Sequence, residues 1–413
     1  MTTAAADRAA EQRTTARRAR AAVALLFLGN GFVFANVVPR YPEIKSDLGL
    51  SNAALGTAIA AMPLGALVLG LLASPLITRF GSARTAVSTL TLLGLTVLGI
   101  GTAPGYALLC AGIFLAGALD AVTDVAMNAH GLRVQRLYGR SILNAFHGVW
   151  SVGAVLGGFS GAGAAQADIP LAVHLGVTGA LTAALALGSF RYLLPGAEDT
   201  ERETKTEGAG AGAGAGGARR LGWHAALALG ALGLLSASAA VAEDSGASWG
   251  SVYLRDELSA GPFVGGLAFT ALQGSQTVGR LLGDRVVQRL GDRTTARVGG
   301  LLVVLGMGAA LLWPSTASTI VGFGLSGLGI ATLIPAAFHA ADELPGLWPG
   351  AGITVTAFLM RVGFLLSPPV VGVIADAHSI RLGLLVVPVA GLLVLAASGS
   401  LAPRAAPRPA ATA

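Results

Sequence analysis

Ser74-Pro75-Leu76-Ile77-Thr78-Arg79-Phe80-Gly81-Ser82-Ala83-Arg84 is answered 210 residues later by Asp284-Arg285-Val286-Val287-Gln288-Arg289-Leu290-Gly291-Asp292-Arg293. Each stretch closes an apolar run with Arg-x-Gly and a further arginine. At the same offset Lys45 and Asp47 meet Arg255 and Glu257. Pro104 meets Pro314, Gly117 meets Gly327 and Gly153 meets Gly363, without a gap. Glycine is abundant, so the Arg-x-Gly pair and the proline carry most of the weight. Two similar, strongly apolar halves in parallel order are the pattern of a membrane protein built by duplication.

The composition agrees. The chain is 54% hydrophobic and 12% charged, where a soluble domain carries roughly a quarter charged residues. Apolar runs of about 20 residues, such as 21–38, 53–77, 86–102 and 385–401, match the helix length needed to cross a bilayer core. About twelve runs can be counted, six before residue 195 and six after residue 221. We therefore expect an all-α membrane protein of twelve transmembrane helices in two six-helix pseudo-repeats.

The net charge of +6 does not form one patch, so nucleic acid is not expected as a partner. The arginines sit in alternate loops: before span 1, after spans 2, 4 and 8, around mid-chain and at the C-terminus. The other loops are nearly uncharged apart from Arg40, Lys45, Arg255 and Arg381. The positive-inside rule then places both termini and the middle loop in the cytoplasm. Few lysines and many Ala, Gly and Arg residues suggest a GC-rich bacterial genome and an inner-membrane location. Cys110 is the only cysteine, which excludes an internal disulfide and a thiolate metal site. No metal or cofactor is expected. Domain boundaries follow: a disordered N-terminus (1–20), a first bundle (21–195), a linker (196–220), a second bundle (221–402) and a disordered tail (403–413). The linker is acidic over 198–207 and Gly-Ala-rich over 208–217. It is no phosphate loop, because no Gly-Lys-Ser/Thr follows and no strand precedes.

With these features the chain resembles the major facilitator superfamily, over almost its whole length. That superfamily's loop motif between helices 2 and 3 has an acid, Arg, x, Gly and then basic residues. Arg79, Gly81 and Arg84 fit, and Arg289 and Gly291 repeat the pattern; Thr78 stands where the acid is expected. The run Asp120-Ala121-Val122-Thr123-Asp124-Val125-Ala126-Met127-Asn128, with His147 and Trp150-Ser151-Val152-Gly153, resembles the fucose-permease-like, sugar-transporter-like branch. The resemblance implies a secondary transporter with a substrate site between the halves, and proton symport of a sugar.

Function is sought where the two copies differ. Asp120 and Asp124 meet Ile330 and Ile334. Asp120, Asp124 and Asn128 recur every four residues and share one helix face. A carboxylate facing lipid is costly, so this face must point at protein or water. Burial disfavours the charged form of a carboxyl, which suits a group that takes and releases a proton. The alternative is a structural cap near the cytoplasmic end. His147 meets Ala357 and is either a proton relay or a packing histidine. Arg361 meets Ser151 deep in span 11. It either binds an anionic or hydroxyl-rich substrate or neutralises an aspartate. Arg280 and Asp284 meet Gly70 and Ser74, and either pair with each other four residues apart or gate the cytoplasmic side. Span 1 has no acid within the membrane and offers only Asn30 and Asn36; Asn30, Asn128, Trp150 and Arg361 form the candidate substrate-binding set. Glu243, Asp244 and Trp249 are placed at the outer end of span 7, in a solvated loop or as an interfacial anchor.

The expected activity is proton-coupled transport of a small polar, sugar-like solute by alternating access, in a monomer. The alternative is a proton-antiport exporter of drugs or amphipathic metabolites, against which the low aromatic content of 6% speaks. An enzyme is not expected: no nucleophile elbow, metal-ligand cluster or ATP motif is present.

Overall fold

A computed structural model of the chain describes residues 3–196, 222–348 and 350–401. Among these there is no strand, and twelve helices are long enough to cross a bilayer. We number those twelve in chain order. α1 is Thr3–Val37, α2 Asn52–Phe80, α3 Ser82–Gly101 and α4 Tyr106–Tyr138. α5 is Leu143–Gln166 and α6 Leu171–Phe190. In the second half α7 is Trp223–Asp256, α8 Pro262–Leu290 and α9 Asp292–Leu312. α10 is Thr316–Asp342, α11 Ala351–Ala377 and α12 Ile380–Ser400.

Ten of these are both long and apolar enough to span a membrane on composition alone. The other two are α5 and α8. Their 24 and 29 residues cover about 36 and 44 Å as helix, so length is not the obstacle. α5 carries Asn144, His147 and Trp150; α8 carries Gln273, Gln276, Arg280 and Asp284. Polar groups at membrane depth must be turned toward protein or water, which makes these two helices poor lipid-facing walls. The chain is an all-α membrane protein of twelve transmembrane helices in two sets of six.

The sequence repeat is also a repeat of atoms. Gly81 and Gly291 both precede a helix, with φ +84° and +80° and ψ 153° and 158°. That backbone region is open to glycine almost alone. Gly81 N donates to Ile77 O at 2.8 Å, and Gly291 N to Val287 O at 2.7 Å. Each glycine carbonyl then accepts from the threonine four residues on, Thr85 or Thr295, through both backbone N–H and hydroxyl. The Arg-x-Gly motif is thus a tight helix-to-helix turn.

Charges at the opposite ends tie loops down. Buried Arg40 pairs with Glu43 and donates to Ile169 O at 2.8 Å, in the α5–α6 loop. Glu257 accepts from the backbone N–H groups of Ile380 and Arg381, at the start of α12. Arg40 and Arg381 lie outside the alternating arginine pattern and act as loop staples, Arg381 Nε donating to Leu311 O at 2.7 Å.

One expectation changes. Residues 3–20, read as disordered, form the first turns of α1. Ala and Arg are strong helix formers, and the apolar continuation supplies the long helix that a short isolated segment lacks. Residues 197–221 and 402–413, which hold nearly all of the expected linker and tail, lie outside the described residues. The chain divides into two compact units, Met1–Ala215 with Gly261–Gly266, and Gly216–Ala260 with Leu267–Ala413.

Candidate functional site

α4 brings Asp120, Asp124 and Asn128 to one face, one helical turn apart, or about 6 Å along the axis. α1 brings Asn30, and α5 brings His147 and Trp150. α1 and α5 run in backbone contact: a Cβ on Gly31 would lie 2.2 Å from Trp150 O, and one on Gly153 2.2 Å from Leu28 O. Only glycine permits this approach, and the approach sets the polar side chains of α5 against those of α1 and α4.

Two hydrogen-bonded chains result. Trp150 Nε1 donates to Asn30 Oδ1 at 2.8 Å, and Asn30 Nδ2 donates to Asp120 Oδ1 at 2.7 Å. Indole N–H is a donor only, so it fixes which way the Asn30 amide faces. Asn30 is 3% exposed. Asp120 is half-buried and backs onto a cavity of about 20 Å³ lined by Phe34, Val37, Met62, Leu93 and Ile113. One carboxylate oxygen is therefore held whatever its protonation state, while Oδ2 stands outside this chain of bonds.

The second chain joins Asp124, Asn128 and His147. Asn128 Nδ2 donates to Asp124 Oδ1 at 2.9 Å and to Asp124 O at 2.8 Å. His147 Nε2 lies 3.2 Å from Asn128 Oδ1. With the Asn128 amide turned to the carboxylate, its oxygen must accept, so His147 must carry a proton on Nε2. Phe27 packs edge-on against the imidazole at 5.2 Å. Asp124 and His147 are exposed. All six polar residues singled out on spans 1, 4 and 5 thus fall into two short relays.

The second unit differs from expectation. Arg361 is exposed on α11 and has no hydrogen bond or ion pair among the described residues. Arg280 does not pair with Asp284: its Nη2 lies 4.0 Å from Glu243 Oε1 on α7. Glu243 and Asp244 are not in an outer loop. α7 is continuous over 34 residues, because Ser245–Ser248 and the small residues around them do not break it, and Asp244 lies 12 residues before its end at Asp256. Trp249 is no interfacial anchor; it is 0% exposed inside α7. Sequence reading misplaced Glu243 and Asp244 because a Glu-Asp-Ser-Gly run looks like a turn. The repeat alignment could have placed them, since Val33 and Phe34 occupy the matching positions of span 1.

At the loop motif, Arg79 lies over the ring of Phe80 at 5.4 Å, and Arg84, Arg289 and Asp284 are exposed. Thr78, in the place of the expected acid, donates back to Ser74 O at 2.9 Å, so it offers no charge to a latch.

A twelve-helix duplicated bundle with charged groups inside its spans defines a membrane transporter. The family model for the Major Facilitator Superfamily matches residues 23–347, and the chain belongs to that superfamily. An uncharacterised transporter, y4wD, of Sinorhizobium fredii is 29% identical over 372 residues, covering 90% of this chain and 95% of that one. The membrane protein MosC of Rhizobium meliloti is 31% identical over 389 residues, covering 91% and 88%. Among solved structures, the nucleoside transporter NupG superposes with a TM-score of 0.73 at 12% identity, covering 92% and 98%. A bacterial homologue of the human lysosomal transporter Spinster, inward-facing and occupied, gives 0.71 at 13% identity, covering 92% and 96%. The chain is a multi-pass transporter of a small molecule.

Proposed function

We propose that this chain moves a small polar solute, sugar-like in its hydroxyls, across the bacterial inner membrane by proton-coupled alternating access, with both termini in the cytoplasm. Asp120 is the coupling group, and Asp124 and His147 form its proton path. Asn30, Asn128, Trp150 and Arg361 face the substrate. The observation that carries this reading is the bond from Asn30 to Asp120 at 2.7 Å, in a helix whose repeat partner has Ile330. The shared fold does not need an acid there, and an ionised carboxylate at that depth is costly without a counter-charge. Ionised Asp120 would hold the carrier until a proton, substrate or arginine arrives; neutral Asp120 would release it to reorient.

Reconstituted protein, screened against polar metabolites with and without a pH gradient, supplies the substrate. Asp120→Asn mimics the neutral form permanently. It is expected to lose uphill accumulation while still exchanging labelled substrate across the membrane. Wild-type accumulation by the variant would remove Asp120 from the coupling role. Outward transport of amphipathic compounds against the pH gradient would replace import by the exporter reading.

A further inference from the structure

The interior of α7 holds two adjacent carboxylates with different surroundings. Glu243 has a cation, Arg280, at 4.0 Å. Asp244 lies about 100° further round the helix and has no ion-pair partner among the described residues. Its Oδ1 accepts from Ser248 Oγ at 3.2 Å. Its Oδ2 is closed off from solvent and has no hydrogen-bond partner.

Ser367 of α11 reaches the same place. Its hydroxyl lies 2.9 Å from Ser245 Oγ and 3.5 Å from Val241 O, and it also approaches the Asp244 carboxylate. Ser245, Ser248 and Ser367 are 0%, 2% and 3% exposed. Pro368 and Pro369 follow inside α11; neither has an N–H, so the helix loses two backbone bonds beside Ser367. In the first unit the positions matching Asp244, Ser245, Ser248 and Ser367 are Phe34, Ala35, Val38 and Gly157. The fold does not require these polar groups.

We propose that Asp244, Ser245, Ser248, Ser367 and the Val241 carbonyl form a Na⁺ site in the second unit. Asp244 is half-buried, and its Oδ2 is enclosed without a hydrogen bond. Its ionised form needs a compensating positive charge, and the oxygens gathered around it fit a bound cation. Every donor is oxygen, with no nitrogen or sulfur, which selects a hard cation. One carboxylate balances one positive charge; a divalent ion would leave a net charge buried. Hydroxyls offer lone pairs to the ion while each sends its own proton elsewhere. What the ion drives rests on the transporter reading above; whether it binds does not.

The test is thermal unfolding of the purified full-length protein, without substrate, in NaCl and in choline chloride at matched ionic strength. Ligand binding to the folded state alone raises Tm. NaCl is expected to raise it by a few degrees over choline chloride, and KCl by less. Asp244→Asn should abolish the difference, while Asp120→Asn should keep it. The absence of a Na⁺-specific shift in the native protein, or its survival in Asp244→Asn, overturns the site. Should Asp244→Asn not fold, Ser248→Ala keeps the carboxylate. It should weaken apparent Na⁺ affinity several-fold, and unchanged affinity overturns the site as well. Exchange by Asp120→Asn is read in Na⁺-free buffer, so failure of the proton reading and failure of the Na⁺ site are separate results.

Discussion

α4 and α10 occupy matching places in the repeat, but only α4 is unbroken. It runs 33 residues without interruption, whereas α10 is interrupted between Ile330 and Leu333. Pro335 accounts for the break: it has no N–H to give Ala331, and its ring crowds that carbonyl. α4 has Val125 there. The other pair is reversed. α2 passes through a 3₁₀ turn at Gly70–Leu72, four residues ahead of Pro75, while α8, with Arg285 at that place, continues. In each pair the unbroken helix carries the charges inside the span: Asp120 and Asp124 on α4, Arg280 and Asp284 on α8. An intact helix holds side chains at a fixed rotation about its axis, which a charged group at membrane depth requires. Duplication thus conserved the seams between helices, and the helices themselves diverged.

The seams give the largest expected effect. A Cβ on Gly117 would lie 2.0 Å from Met62 O, and one on Gly327 2.1 Å from Leu272 O; Met62 and Leu272 are themselves 210 residues apart. The obstacle is backbone in both copies. Gly117→Ala and Gly327→Ala should each destabilise by about 1–3 kcal/mol or more, read as lost monodispersity and lower Tm in detergent. Tolerance of alanine in one copy only would break the equivalence of the two seams.

A smaller effect is expected where the copies differ. Ser151 is buried and donates to His147 O at 3.1 Å; its counterpart Arg361 is exposed and unbonded among the described residues. Arg361→Lys keeps the charge and loses the planar donor fork. Apparent substrate affinity should fall about tenfold, or about 1.4 kcal/mol. Unchanged affinity and rate would exclude a guanidinium contact and leave Arg361 a general counter-charge.

The repeat and the run lengths made the twelve-helix architecture legible, because a bilayer imposes a length and a polarity that few other environments do. Asp120, Asp124 and His147 were legible as mismatches between copies, and Asn128 as the next residue on the same helix face. Their division into two relays was not, since it depends on Asn30 arriving from α1 through the close contact at Gly31. Glu243 and Asp244 were misplaced for the opposite reason. Local composition suggested a turn, but packing of α7 against α11 kept the helix intact and buried its serines. Tertiary packing outweighs local propensity.

The smallest effect concerns a seam the two units solve differently. Between α3 and α4, Thr123 Oγ1 lies 2.7 Å from Thr89 Oγ1, and both residues are buried. The matching positions between α9 and α10 are Gly299 and Leu333, where a Cβ on Gly299 would lie 2.2 Å from Gly329 O. A hydroxyl pair in one unit does the work of direct backbone contact in the other. Thr123 is also less than one turn from Asp120, so its hydroxyl has a second conceivable role, in the proton path. Hydrogen bonds between membrane helices average about 0.6 kcal/mol. A seam role therefore predicts that Thr123→Val lowers Tm by only about 1–2 °C. Thr89→Val with Thr123→Val should cost little more than either change alone, because both remove one bond. Accumulation against a gradient should be unaffected in all three variants. Loss of accumulation in Thr123→Val, with Tm nearly unchanged, would move this hydroxyl from the seam into the relay that begins at Asp120.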